Sequence, residues 1–401
     1  MKNKFACDKA DPSYKSCMRV FAKDAAAVAA ATAPSSVVVS VRKHTLANRI
    51  KQYHYLRDKL SLLRHDDCLE ATKFADGTSG YTIRDIINLN KKIGSKSRYG
   101  LIYLTSIPSL ANTFPIVTKV MPYNMNNLYE VKIMSMITRE ILLQGLSRHF
   151  LMTYGDSVCS KRIAKKLKLI NINELADGDI KMMIHIPEVV GNAQLMFNIF
   201  IQIYISIATF HNLVGHVHRD THYGNFLYQT NNEKGYYHYR FHGVSYYLKA
   251  CKYNIMIYDY GFAKRISTYD RNTTTVTDTE TGIGTYTSNS EVSKCKISIY
   301  KDYAKIINAF IKESSNGWNE LSVLDKKLSD KMNAFRKLLL TNIEYEIYNK
   351  RTTECSSFAS SMFAFIIEEI FLKYAPKGMF ITSRPPKVIN AIPFQIDNIY
   401  D

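Results

Sequence analysis

The sequence has seven cysteines and no Cys-x-x-Cys pair among them. Cys7, Cys17, Cys68, Cys159, Cys251, Cys295 and Cys355 are scattered and odd in number. That pattern argues against a zinc site and for free thiols in a reducing compartment. The chain also lacks an uninterrupted apolar run of the ~20 residues needed to cross a bilayer as a helix. The nearest run, Leu195 to Phe210, is broken by Asn198, Gln202 and Ser206 and reads as a core helix. Ala25 to Ala33 has the look of a signal-peptide core, but it lies well inside the chain behind Lys23 and Asp24 and reads as a flexible linker. Acidic residues are in short supply: 35 Asp and Glu against 53 Lys and Arg leave a formal charge of +18. Such a surface favours nucleic acid, an anionic membrane or an acidic protein, or serves solubility, and charge alone does not choose.

With 401 residues, 46% of them hydrophobic, the chain is long enough for a sizeable core and more than one compact unit. Residues 1 to about 40 are small, polar or Ala-rich, and weak order is expected there. Leu46, Ile50, Tyr53, Leu56, Leu60 and Leu63 recur at helical spacing and predict an amphipathic helix that packs on the main domain or binds a partner. Asp76 to Gly80 reads as a turn closing this N-terminal extension of residues 1–80.

The chemistry concentrates in His216 to Leu227. His218, Arg219 and Asp220 are followed five places later by Asn225, so one loop presents a carboxylate and an amide. A helix-like apolar stretch, Leu195 to His211, precedes it. Ile255 to Tyr258 then lead as an apolar strand into Asp259, Tyr260 and Gly261. The order and spacing of these two motifs resemble the protein kinase superfamily. The resemblance implies an α+β, bilobal fold with a β-rich N-lobe over residues 81–186 and a helical C-lobe over 187–401. It implies transfer of the ATP γ-phosphoryl group to serine or threonine hydroxyls of proteins. Asp220 would take the hydroxyl proton, and Asn225 and Asp259 would hold Mg2+ or Mn2+.

Upstream, Phe114 to Val120 resembles the third kinase strand, whose lysine, here Lys119, contacts phosphates and pairs with a helix glutamate. Helical phase does not separate Glu130 from Glu140. The family's spacing prefers Glu140. Ile93 to Tyr103 resembles a glycine-rich phosphate loop, although Gly94 and Gly100 alone remain of its glycines; Lys96 and Arg98 would add charge. Lys181 to Ile186 reads as a strand leading into a hinge at Pro187 to Asn192. The aromatic, basic segment around Tyr236 to His242, with Tyr246 and Tyr247, reads as a hairpin in preference to a single-strand nucleic-acid platform. Ser267 to Ser290 fits an activation segment whose phosphorylated hydroxyls would pair with Arg219. Asp302 is either a brace for the catalytic loop or an ordinary helix N-terminal residue. The remainder reads as helical, with Trp318 near a turn and Pro385 and Pro386 near the end.

Two departures stand out. Most serine/threonine kinases carry a lysine two places after the catalytic Asp, and here His222 occupies that position. The Ala-Pro-Glu that usually ends an activation segment is missing. The aromatic insertion, His222 and the basic balance resemble the divergent serine/threonine kinase-like proteins of large DNA viruses, which implies a host-cytoplasmic or virion location. Three other readings stay open: a pseudokinase scaffold, a nucleic-acid-binding protein, and a small-molecule phosphotransferase. The last rests on Asp220, His222, Gly224 and Asn225, which resemble the loop of aminoglycoside and choline kinases.

Overall fold

Ile116, Val117, Thr118, Lys119, Val120 and Met121 are all buried, as a strand covered on both faces requires. They belong to a computed structural model that describes residues 44–64, 66–97, 100–110, 115–163, 166–183, 185–190, 192–270, 289–307, 337 and 354–398. The protein is a mixed α+β structure in two compact units. One comprises residues through Leu143 with Leu151–Asp177, and the other comprises Gln144–Phe150 with Gly178 onward.

The first unit is built on a seven-stranded antiparallel sheet. Its strands are β1 (Glu70–Lys73), β2 (Ser79–Ile83), β3 (Ile87–Ser97), β4 (Gly100–Ser106), β5 (Ile116–Pro122), β6 (Thr153–Ile163) and β7 (Lys166–Glu174). Their spatial order is β1-β2-β3-β4-β5-β7-β6. The sheet therefore starts at Glu70, inside the stretch expected to be an extension. The Asp76 to Gly80 turn is the β1–β2 connection, where the Thr78 amide donates to Asp76 Oδ1 at 2.9 Å. Helix α1 (Leu46–Leu60) is present as the apolar spacing predicts. Its buried face is Arg49, Gln52, Leu56 and Leu60, so two polar side chains replace the Ile50 and Tyr53 expected there. The fold accommodates them: Arg49 Nε donates to Glu174 Oε2 at 3.0 Å and Gln52 Nε2 to the Tyr154 hydroxyl at 3.2 Å. Helix α2 (Met125–Ile137) follows β5 after Tyr123 and Asn124, and Asn124 caps it by accepting from the Asn127 amide at 2.9 Å. Val131 on α2 packs with Met121 and Leu169 of the sheet.

The second unit centres on α3 (Ala193–Asn212), buried continuously from Met196 to His211. By length and hydropathy this helix and Cys355–Tyr374 each match a membrane span, but α3 is core, with its polar side chains bonded internally. Gln202 shows how. It donates to Asn198 Oδ1 (2.9 Å) and to the Tyr253 carbonyl (3.1 Å), and accepts from the Ile255 amide (3.1 Å). Around α3 lie a short strand β8 (Gly178–Asp179), β9 (His216–Val217), β10 (Phe226–Thr230), β11 (Tyr236–Phe241), β12 (Val244–Lys249), β13 (Tyr253–Ile257) and β14 (Lys264–Arg265). Helices α4 (Asn289–Ile307) and α5 (Cys355–Ile366) complete it with strands β15 (Phe380–Ile381) and β16 (Phe394–Gln395).

The expected aromatic hairpin is there. β11 and β12 pair antiparallel across His242 and Gly243, both with positive φ (47° and 73°), as a two-residue type I′ turn demands. The strand expected at Lys181 to Ile186 is not: Ile180–Met183 is a helical turn. The Asp179 carboxylate accepts from the Met182 amide at 2.8 Å, a capping contact that starts helix instead. The last stretch is not wholly helical either, since β15 and β16 both join the hairpin sheet. Four of the cysteines expected as free thiols are paired. Cys68–Cys159 and Cys295–Cys355 are disulfides, and Cys251 is a free thiol. These partners lie 91 and 60 positions apart, so only the folded chain brings them together. Cys7, Cys17, Arg98, Trp318 and most of the expected activation segment lie outside the described residues.

Candidate active site

In the first unit the expected lysine has a buried partner, but it is Glu130. Lys119 Nζ lies 2.7 Å from Glu130 Oε1, and the two side chains are 6% and 1% exposed. Chain geometry explains the choice. Lys119 sits about 10 Å back from the strand end at Pro122. The chain reverses at once, and Glu130 stands about 7 Å into α2, level with it. Glu140, some 22 Å along at the same rise, is exposed on a π-helical turn, Thr138–Leu142, that breaks the phase of α2. The preference for Glu140 is thereby overturned.

Gly94 lies in β3 within an irregular stretch of the β3–β4 register between Ile93 and Ser97. Gly100 opens β4 at φ 158°, and a Cβ there would come 3.0 Å from the Val120 carbonyl oxygen. Close backbone approach explains this glycine without a ligand.

In the second unit the structure gathers Asp220, Asn225 and Asp259 around one braced loop. β9 leads into the loop and pairs with β14, which follows Gly261. β10 leaves the loop and pairs with β13, which ends just before Asp259. The Tyr258 amide donates to the Asn225 carbonyl at 2.9 Å, tying the two motifs directly. Asp302, 1% exposed on α4, is the brace. Its carboxylate accepts from the backbone amides of His218 and Arg219 at 2.7 Å each, and its carbonyl from the Thr221 hydroxyl at 2.7 Å. His211 Nε2 lies 2.9 Å from the same carboxylate.

Backbone strain marks the same place. Arg219 (φ 69°) and Asp259 (φ 66°) both occupy the left-handed region, costly for non-glycine residues and held only by a structure that over-determines them. Tyr260 stacks on Phe210 at 5.0 Å and meets His218 edge-on at 5.7 Å. Its hydroxyl donates to the Ile257 carbonyl at 2.7 Å, which satisfies the polar atom that Tyr adds over Phe.

Asn225 Nδ2 donates to the Asp220 carbonyl at 2.8 Å, so of its two amide atoms Oδ1 is the one that could ligate a cation. Asn225 and Asp259 are the residues that could offer oxygens to Mg2+, an ion that keeps waters and takes phosphate oxygens. Among the described residues there is no cluster of three His, Cys, Asp or Glu of the kind a protein-only cage would need. His222 Nδ1 accepts from the Gly224 amide at 3.0 Å, and a Cβ on Gly224 would press to 3.0 Å on that ring.

Lys305 joins the site from outside both motifs. Its Nζ lies 2.5 Å from Asp220 Oδ1, while His222 Nε2 lies 3.6 Å from Oδ2. Burial alone would raise the Asp220 carboxyl; the Lys305 ammonium outweighs it, with His222 and His218 adding, and the pKa falls below the usual range. Burial lowers the His222 pKa against the pull of Asp220, and Lys305 lowers it further. Burial also lowers the His218 pKa, opposed mainly by Asp302. No signal near residue 220 announces Lys305, which is 85 positions away. Against models of known protein families and against curated protein sequences, the chain has no match.

Proposed function

We propose that the protein is a kinase-like phosphotransferase that moves the γ-phosphoryl group of Mg-ATP to a serine or threonine hydroxyl of a protein. The carrying observation is the Asp302-braced loop, which fixes Asp220 and Asn225 beside the strand end that delivers Asp259. On this reading the two units are the small and large lobes of a bilobal kinase-like fold. Lys119, held by Glu130, contacts ATP phosphates. Asn225 and Asp259 hold magnesium, which neutralises charge on the β- and γ-phosphates. Asp220 orients the attacking hydroxyl and takes its proton, and Gly94 lets the β3–β4 hairpin lie close to the nucleotide. Catalysis of this kind is mostly positioning and charge neutralisation.

A second reading is favoured by the His222–Gly224 contact, because a histidine-capped turn is what an Asp-x-His-x-Gly-Asn loop would form. It makes the acceptor a free metabolite. One assay separates the two. Radiolabelled γ-phosphate transfer from Mg-ATP, repeated with Mn2+, is followed on the protein itself, a generic basic protein, and aminoglycoside and choline acceptors. Label on serine or threonine, lost in Asp220→Asn, supports the protein kinase reading. Label confined to a metabolite moves the acceptor class. Absence of transfer by folded wild type sinks both.

A further inference from the structure

Phosphoryl transfer spreads negative charge over three equatorial oxygens, and the carboxylate that orients the nucleophile adds more beside them. A cation preorganised at that point stabilises the transition state more than the ground state. Position 222 is a weaker candidate: His222 Nε2 lies 3.6 Å from Asp220 Oδ2, and an imidazole lacks the fixed charge of an ammonium. Lys305 supplies one. Its ammonium has three donors, Asp220 Oδ1 engages one of them at 2.5 Å, and the side chain is 45% exposed. It also stands one helical turn past Asp302, on the same face of α4. One helix thus holds the loop backbone through a carboxylate and the loop carboxylate through an ammonium. An ordinary surface ion pair would stabilise by little. This pair involves the one carboxylate to which the mechanism assigns the proton.

We propose that Lys305 is a catalytic residue: the cation that contacts the transferring γ-phosphoryl group and the Asp220 carboxylate together. The inference rests on the kinase-like reading above. The hydroxyl oxygen forms the new bond to γ-phosphorus as the bond from γ-phosphorus to the β–γ bridging oxygen breaks. The electron pair leaves with ADP, and the hydroxyl proton passes to Asp220 and then to solvent. Lys305 stays protonated throughout, donating hydrogen bonds only.

The test uses the full chain with Lys305→Met, Lys305→Gln and the double variant Lys305→Met/His222→Lys. Mg-ATP and Mg-ADP affinities are measured by calorimetry, transfer by single turnover, and folding by circular dichroism. Variants with wild-type Mg-ADP affinity should lose transfer by roughly 10²–10³-fold, as loss of one preorganised charge contact does. Their preference for Mg-ATP over Mg-ADP should fall about tenfold, in line with loss of one charged hydrogen bond. Lysine at position 222 should recover much of the transfer. Wild-type transfer and an unchanged ATP:ADP ratio in either single variant overturn the proposal. So does lost transfer with an unchanged ratio and no recovery in the double variant, which would leave Lys305 acting only through Asp220. If wild type shows no transfer but the ATP preference still depends on Lys305, the kinase reading falls and the γ-phosphate contact stands. A wild type that binds neither nucleotide overturns both.

Discussion

Lys119 and Glu130 are each nearly excluded from water, so removing one takes a buried ion pair from the other. Glu130→Ala is expected to destabilise by about 3–5 kcal/mol, whereas Glu140→Ala at an exposed site should stay within about 0.5 kcal/mol. Urea unfolding of the two variants checks this, and equal effects would count against the assignment. At the same scale, Lys305 holds the Asp220 pKa down, so Lys305→Met should shift the acid limb of the pH–transfer profile to higher pH. A limb that stays put would mean the ion pair does not set the ionisation. Asp220, Asn225 and Asp259 were legible in the sequence because each sits in a short motif whose spacing is itself the geometry. Glu130 was not, since helical phase left two candidates and the family's spacing chose the wrong one. Lys305 was invisible for another reason: a contact across 85 positions leaves no local pattern.

At the scale of elements, α4 braces the loop at 218–221. Asp302→Ala would leave two loop amides without their acceptor. The expected outcome is a loss of about 2–5 kcal/mol with transfer falling further than stability explains, read by comparing melts with kinetics. The helix α3 carries a second such dependency. Gln202→Leu keeps the bulk but strands the Ile255 amide in β13, the strand that delivers Asp259, and should cost about 1–3 kcal/mol. α3 and the β11–β12 hairpin were legible because buried runs and alternating aromatics have a period. The apolar content of the 181–186 stretch suits strand or helix alike, and the deciding signal is a single capping carboxylate, Asp179.

For the whole molecule, pH and redox state act on many contacts at once. His216, His218 and His222 all have pKa values lowered by burial from the ordinary 6.5, so the folded state binds fewer protons than the unfolded chain. Their contribution to stability is complete above about pH 6.5 and is lost as pH falls below it. The melting temperature should therefore decline from pH 7.5 to 5.5, and a flat profile would contradict the lowered pKa values. Reduction of Cys68–Cys159 and Cys295–Cys355 should cost about 2–4 kcal/mol for each bond, and a melt with and without dithiothreitol measures it. Neither bond was legible, because nothing in the spacing of scattered cysteines names a partner. The hairpin sheet illustrates the same limit on a larger scale. Its order is β15-β12-β11-β16, and the His238 amide donates to Asn390 Oδ1 across 152 positions. A ribosome adding roughly 5–20 residues per second needs on the order of ten seconds between those two residues. For most of that interval the hairpin that separates Asn225 from Asp259 exists without its flanking strands, so the nascent chain waits with its aromatic edges uncovered until residues 380–397 arrive.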